Sequence, residues 1–155
     1  MSYATLDDLK QRLGSNADPP GAYEQLTDRV TLTTGDDAVG QEVLEAAHGE
    51  VNGWLAKRYT VPIAVSADAT LAQRLRGVTL DLAEHGAWET SPTRITTPKR
   101  VADNYAAAIR WLTEVAAGGA SLPGVTEVPA ATVNGPTAMT VGHEARFTED
   151  NLKGL

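Results

Sequence analysis

The chain has 155 residues, which fits one domain with room for a terminal arm. Its formal net charge of -7 argues against tight, sequence-independent binding of DNA or RNA, which needs a basic surface. The lack of cysteine excludes disulfides, zinc–thiolate sites and cysteine nucleophiles, and the pattern of charged and apolar residues predicts neither a signal peptide nor a membrane span.

A short helix is predicted at the amino terminus, beginning after Thr5. Thr5 is a favourable N-cap residue, and Asp7 and Asp8 fall in the first turn, where the helix dipole favours negative charge. An apolar stripe runs through Leu6, Leu9 and Leu13. Gly14 ends this helix, and residues 23–29 have room for one further helical turn.

Three long amphipathic helices are predicted after residue 35. Asp36 and Asp68 are expected to cap the first two, and Thr97 to cap the third with Pro98 at its first helical position. Gly118 is expected to end the third. Their apolar stripes are Leu44, Ala47, Val51, Trp54 and Arg58; Leu71, Leu75, Val78, Leu82 and His85; and Val101, Tyr105, Ala108, Leu112 and Val115. Because each stripe needs a partner, the predicted fold is mainly α, a small helical bundle of three long helices plus one or two short amino-terminal helices.

The last part of the chain differs in composition from the bundle. We predict a helical domain over residues 1–119 and an extended carboxyl-terminal arm over residues 120–155, which contains three prolines and small or isolated apolar residues. Residues 125–141 are expected to add an edge strand or to lie extended on a neighbour, and Phe147 and Leu152 to anchor the arm. A disordered tail in the free protein is the alternative.

Among possible metal sites, the most suggestive pattern is a pair of residues one helical turn apart, and the pattern is incomplete. Glu45 and His48 have the Glu-x-x-His spacing of bundle-type di-iron proteins, and Asp81, Glu84 and His85 add ligand types. The second Glu-x-x-His of that template is missing, however, and Glu45 falls on the polar face of its helix. We therefore predict no catalytic, cofactor-binding or metal-binding residue, and His85 is interpreted as a packed residue of its apolar stripe.

The main cluster of basic residues lies around the start of the last long helix, in the preceding loop and the first turn. Arg94, Lys99 and Arg100 form this patch, and Lys57 with Arg58 forms a second, shorter one. A solvated surface is the ordinary interpretation of such residues. In an acidic protein the patch of Arg94, Lys99 and Arg100 is also a candidate contact with an acidic partner or with phosphates.

Several short motifs follow one another in an order and spacing that resemble those of a known family. They are Tyr3-Ala4-Thr5-Leu6-Asp7-Asp8-Leu9, Gln25-Leu26-Thr27-Asp28-Arg29, Val51-Asn52-Gly53-Trp54-Leu55-Ala56-Lys57-Arg58-Tyr59 followed by Val61-Pro62, Leu80-Asp81-Leu82-Ala83, Tyr105-Ala106-Ala107-Ala108-Ile109-Arg110-Trp111-Leu112, Ala116-Ala117-Gly118 with Leu122, and the ending from Arg146-Phe147 to Leu155. Together they resemble the Mu-like phage and prophage virion proteins encoded among head genes. The chain departs from the family pattern mainly between residues 126 and 143.

The resemblance implies a non-enzymatic, structural role in the virion of a tailed bacteriophage. It implies a head-completion or head–tail connector subunit in the neck, with the portal protein and tail proteins as partners and a ring of its own copies, twelve by similarity to helical adaptors. Genomic DNA would pass nearby without sequence-specific binding. The alternatives are a tail-terminator or tail-completion protein, a cytoplasmic regulatory or chaperone module, and the bundle-type metal enzyme.

Overall fold

The computed structural model describes residues 2–14, 21–28, 35–64, 68–91 and 96–128. Five helices lie in these ranges: α1 (Leu6–Leu13), α2 (Ala22–Thr27), α3 (Asp37–Leu55), α4 (Ala69–Thr90) and α5 (Lys99–Ala117). The predicted helical bundle of three long helices preceded by short ones is thereby confirmed. None of the described helices is long and apolar enough to cross a membrane.

Polar side chains at the predicted caps begin three of these helices. Thr5 and Asp8 form a capping box at α1, in which the Asp8 amide donates to Thr5 Oγ1 (3.3 Å) and the Thr5 amide donates to Asp8 Oδ2 (3.0 Å). The carboxylates of Asp36 and Asp68 each accept hydrogen bonds from two amides of the first turns of α3 and α4. The predicted starts of these helices are therefore confirmed.

The start of α5 differs by one residue from the prediction. Pro98 is the N-cap rather than the first helical residue, because its backbone is extended (φ -59°, ψ 140°). Its carbonyl accepts from the amides of Val101 and Ala102. The Thr97 hydroxyl, predicted to cap the helix, donates instead to Glu89 at the end of α4 (3.0 Å).

The three long helices alternate in direction around one apolar core. Arg100 near the start of α5 reaches Glu84 near the end of α4, so these two helices are antiparallel. Arg58, just after α3, reaches the carbonyl of Val115 near the end of α5, so α3 and α5 are parallel. Helix α1 packs against α3 and α4. Side chains that are almost fully buried in this core include Leu9, Leu44, Val51, Leu55, Leu75, Ala83, Leu112 and Val115.

The chain leaves α5 through a tight turn and returns to the bundle. Gly118 is left-handed (φ 85°), as predicted for the end of this helix. The amides of Gly119 and Ala120 both donate to the Glu114 carbonyl, and Leu122 is buried in the core. Residues 120–128 of the predicted arm thus pack on the bundle. The division into residues 1–119 and 120–155 stays a prediction, because residues 129–155 lie outside the described ranges.

Candidate functional site

Arg58 holds the end of α5 to the start of the arm. Its guanidinium donates to the carbonyls of Val115 (3.4 Å) and Ala120 (3.0 Å) and to Glu127 Oε1 (2.6 Å). A cation at this place satisfies carbonyls that the helix end leaves free and is favoured by the helix dipole. A Cβ on Gly118 would lie 3.3 Å from the Arg58 guanidinium, so the close approach as well as the positive φ favours glycine there.

Tyr59 fixes the segment that follows. Its buried phenol oxygen accepts a hydrogen bond from the Leu122 amide (3.1 Å). Tyr59 and Glu127 form an antiparallel bridge, and the Val128 amide donates to the Arg58 carbonyl (2.8 Å). We call residues 58–59 and 118–128 the arm root, because the rest of the arm is attached to the bundle at Val128.

Tyr3 holds the loop after α3 from the amino-terminal side. Its hydroxyl accepts from the Ile63 amide (2.9 Å) and donates to Asn52 Oδ1 (2.8 Å). Burial raises the pKa of Tyr3, which outweighs the opposite effect of the Ile63 hydrogen bond. The loop is therefore fixed between the amino-terminal segment and the arm root.

His48 binds the same amino-terminal segment through an acceptor nitrogen. The Ala4 amide donates to His48 Nε2 (3.2 Å), and Ser2 Oγ lies 3.1 Å from that atom. Because Nε2 must carry a lone pair to accept, the imidazole is neutral in this arrangement. Burial, followed by the nearby positive amino terminus, lowers the pKa of His48.

A cluster of four charged side chains joins α1, α4 and α5. Arg12 donates to Glu84 (2.7 Å) and to Asp81, and Arg100 donates to the other oxygen of Glu84 (2.5 Å). The Glu84 side chain is only 2% exposed, whereas that of Arg100 is 64% exposed. Burial raises the pKa of Asp81, against the opposing effect of Arg12. Two arginines thus neutralise two carboxylates at the contact of three helices.

A groove of about 260 Å³ runs between α3 and α4 and is closed on one side by α5. The rings of His85 and Tyr105 stack in it, with centroids 4.1 Å apart and planes inclined by 18°. Glu42, Glu50 and Glu89 lie at its edges. Burial and the charge of Glu50 raise the pKa of Tyr105. The groove therefore offers aromatic rings beside carboxylates.

The predicted partner-contact residues are only partly covered by the structure. Lys99 is 85% exposed and pairs with Asp103 one turn along α5 (2.5 Å). The guanidinium of Arg100 binds Glu84, while most of the Arg100 side chain is exposed. Arg94, Phe147 and Leu152 lie outside the described residues. The partner-contact role of all five residues stays a prediction.

The side chains that the sequence offered as metal ligands bind other groups of the protein. Glu45 accepts from Gln41 (3.2 Å), His48 binds the Ala4 amide, Asp81 and Glu84 bind arginines, and His85 stacks on Tyr105. Within the ranges that the structure describes, no three such side chains come together as a metal site.

Sequence reasoning missed the partners of Arg58 and Arg12. Arg58 lies on the predicted apolar stripe of its helix. An arginine at a position that faces the core needs polar partners there, and this was the signal from which its contacts could have been predicted. Arg12 gave no comparable signal, because Glu84 lies 72 residues away along the chain.

Comparison with known proteins gives one family. The model of the family described as Bacteriophage Mu, Gp36 matches residues 3–141 of the chain. The match covers all the described helices and the arm root. No curated protein matches the chain.

Proposed function

The chain belongs to the bacteriophage Mu Gp36 family, which indicates a phage structural or assembly protein, and from this premise we propose that it is a head-completion subunit. In this proposal, copies of the chain form a ring in the neck of a tailed particle, between the portal protein and the tail. By its resemblance to helical adaptors, the ring has twelve copies and closes through heterologous contacts.

The observation that carries the proposal is the arm root. A ring subunit has to present its contact segment from a defined point, so that the same contact repeats around the ring. Arg58 and Tyr59 fix residues 118–128 to the bundle through four hydrogen bonds. Three of these bonds involve backbone groups of that segment, and the fourth joins Arg58 to the Glu127 carboxylate. The 27 residues from 129 to 155 therefore start from one fixed place on the subunit.

A structural rather than catalytic role accords with how the titratable residues are engaged. His48 accepts a backbone hydrogen bond, His85 stacks on Tyr105, and Glu84 binds two arginines. Each of these contacts joins two or more elements of the bundle. The net charge of -7 is suited to a conduit that DNA passes through without adhering to its wall.

Electron cryo-microscopy of the neck of intact particles tests the position of the chain. We expect a ring of this fold between portal and tail, with residues 120–155 in contact with neighbouring subunits. Density at the tail side of the neck alone would favour the tail-terminator alternative, and absence of the chain from particles would overturn the virion assignment.

Deletion of residues 141–155 tests the arm separately. If Phe147 and Leu152 anchor the arm on an adjacent subunit, particles made with the shortened chain lose their tails or their DNA. Glu45→Gln, an exposed change on α3, is the matched control and leaves particles intact. Fully filled, tailed particles from the shortened chain would remove the arm from the proposal.

A further inference from the structure

A notch of about 180 Å³ opens between α4 and α5. Gly77 and Ala107 line it, and a Cβ on Gly77 would meet no atom of the described residues within 4 Å. On α4, Gly86 follows Gly77 by nine residues, and a Cβ on Gly86 would lie 3.3 Å from Val43 of α3. Nine residues make about two and a half helical turns, so Gly77 and Gly86 lie on opposite sides of α4. The notch therefore opens on the side of the bundle away from α3.

The charged residues at the notch already have partners within the subunit. Asp81 binds Arg12, and the Arg74 guanidinium carbon lies 5.0 Å from the centroid of the Trp111 ring. The open space lies above Gly77, whose lack of a side chain leaves a concave surface. The notch therefore suits the backbone of a closely approaching helix better than an ion.

The outer side of α3, around Gly49 and Gly53, fits such an approach. The two glycines lie one turn apart, are exposed, and would have no atom of the described residues within 4 Å of an added Cβ. Glycine inside a helix costs about 1 kcal/mol relative to alanine. No contact within the described part of the subunit requires glycine at either position, whereas the close approach of a second helix would.

Four exposed charges lie beside these two surfaces. Glu50 and Lys57 lie two turns apart on α3, and Arg110 and Glu114 lie one turn apart on α5. None of the four forms an ion pair within the ranges that the structure describes. Lys57 Nζ lies over the Trp54 ring, 3.8 Å from its centroid. These charges are therefore available to a partner that carries the opposite charges.

The order of these charges favours α3 of one copy running parallel to α5 of another. Arg110 and Glu114 follow Ala107 by three and seven residues, so they lie on the notch side of α5. Along α3 the carboxylate comes first, whereas along α5 the guanidinium comes first. Parallel helices therefore place opposite charges side by side, Glu50 with Arg110 and Lys57 with Glu114. Antiparallel helices would bring like charges together, which is unfavourable.

We propose that the outer side of α3 in one copy docks in the notch between α4 and α5 of the next copy. Gly49 lies against Ala107 of the next copy, and Glu50 pairs with Arg110 there. The two surfaces lie on opposite sides of the subunit, so each copy offers one surface to each neighbour and the contact repeats around a closed ring. Within one subunit α3 and α5 are already parallel, and the small rotation between neighbours in a large ring preserves that direction. The inference rests on the ring of the proposed function and assigns the contact that closes it.

Disulfide trapping in assembled particles tests the contact, because the chain has no cysteine of its own. Gly49→Cys combined with Ala107→Cys places one thiol on each surface, and the fold accommodates both because the two positions are exposed. The control combines Ala107→Cys with Gln11→Cys, an exposed position on α1 that belongs to neither surface. Purified particles are treated with a mild oxidant, and the chain is resolved by denaturing electrophoresis without reductant.

We expect cross-linked dimers, trimers and larger species from the chain with both Gly49→Cys and Ala107→Cys, and none from the control. Either cysteine alone gives no such ladder, because the contact joins two different positions. In the chain with both cysteines, Glu50→Arg lowers the yield of cross-linked species at least about tenfold, and adding Arg110→Glu restores it.

Three results overturn the proposal. Particles that hold the chain but show no ladder mean that α3 does not dock in the notch, while the virion assignment stands. Dimers from either cysteine alone mean that two identical surfaces meet. Absence of the chain from particles overturns the proposed function, and this inference falls with it.

Discussion

The two ends of the chain are fastened to the same bundle by different means. The amino-terminal segment, residues 2–13, is held by side-chain contacts at several separate points, among them Arg12 with Glu84, Asp8 with Arg76, and Ala4 with His48. The arm root is held through two adjacent residues, Arg58 and Tyr59, which bind mostly backbone groups. The first arrangement distributes the attachment over two helices, α3 and α4, whereas the second concentrates it at one loop. A single substitution should therefore loosen the arm root without loosening the bundle.

The largest expected effect is at the buried charge cluster. Glu84→Gln removes the negative charge that Arg12 and Arg100 share, and leaves an amide nitrogen facing a guanidinium. Because Arg100 is largely hydrated and Asp81 remains beside Arg12, we expect a loss of about 2–3 kcal/mol in the free energy of unfolding, less than for a fully enclosed pair. Urea denaturation measures it.

Glu114→Gln is the control for this change, since Glu114 is exposed on α5, and it should alter stability by less than about 0.5 kcal/mol. Equal stability of Glu84→Gln and the wild-type chain would mean that the amino-terminal segment does not depend on this cluster.

The position of Glu84 also shows where sequence reasoning stops. Caps and apolar stripes predicted the helices, since Thr5, Asp36, Asp68 and Gly118 act within a few residues of themselves. A prediction from one apolar stripe per helix, however, assumes that other helices pack against only one face of each helix. Helix α4 is covered by α1 as well as by α3 and α5, so Glu84 is buried although it lies off the stripe. Such contacts depend on how distant helices meet, which local patterns do not encode.

A smaller and more local effect is expected at the arm root. Tyr59→Phe removes the acceptor for the buried Leu122 amide, at a cost of about 1–2 kcal/mol. Hydrogen exchange at Leu122 and Val128 should accelerate strongly, while the amides in the middle of α3 remain protected.

Tyr3→Phe sharpens the comparison, because it removes an acceptor from the Ile63 amide in the same loop. It should cost a similar free energy and leave exchange at Leu122 unchanged. If both variants accelerate exchange at Leu122 alike, the two ends of the chain are not fastened independently.

A pH effect should separate the two ends further. The pKa of His48 is lowered by burial in the folded chain, so the unfolded chain binds the proton more readily. Its contribution to stability is therefore fully present above the unfolded pKa of about 6.5 and is lost as pH falls toward the folded value. Protonation also ends the hydrogen bond from Ala4, whose net worth is about 1 kcal/mol.

Unfolding measured between pH 7.5 and 5.5 should show this loss in the wild-type chain and a flatter profile in His48→Gln. Protection from hydrogen exchange, expressed relative to the intrinsic exchange rate at each pH, should fall at Ala4 and stay unchanged at Leu122 as the pH falls. Identical pH profiles for the two chains would exclude His48 as the source.

The smallest expected effects concern two neighbouring cations of the predicted contact patch. Lys99→Ala removes an exposed pair with Asp103 and should change stability by less than about 0.5 kcal/mol. Arg100→Ala removes a donor from buried Glu84 and should cost about 1 kcal/mol, a value reduced by the exposure of the arginine. In the Glu84→Gln background the Arg100 effect should largely vanish, whereas the Lys99 effect should not change.

Incorporation into particles provides the second measurement. A Lys99→Ala chain of unchanged stability that enters particles poorly would show that the patch contacts a partner. Normal incorporation of both variants would leave Arg100 with a role inside the fold and Lys99 as a solvated side chain.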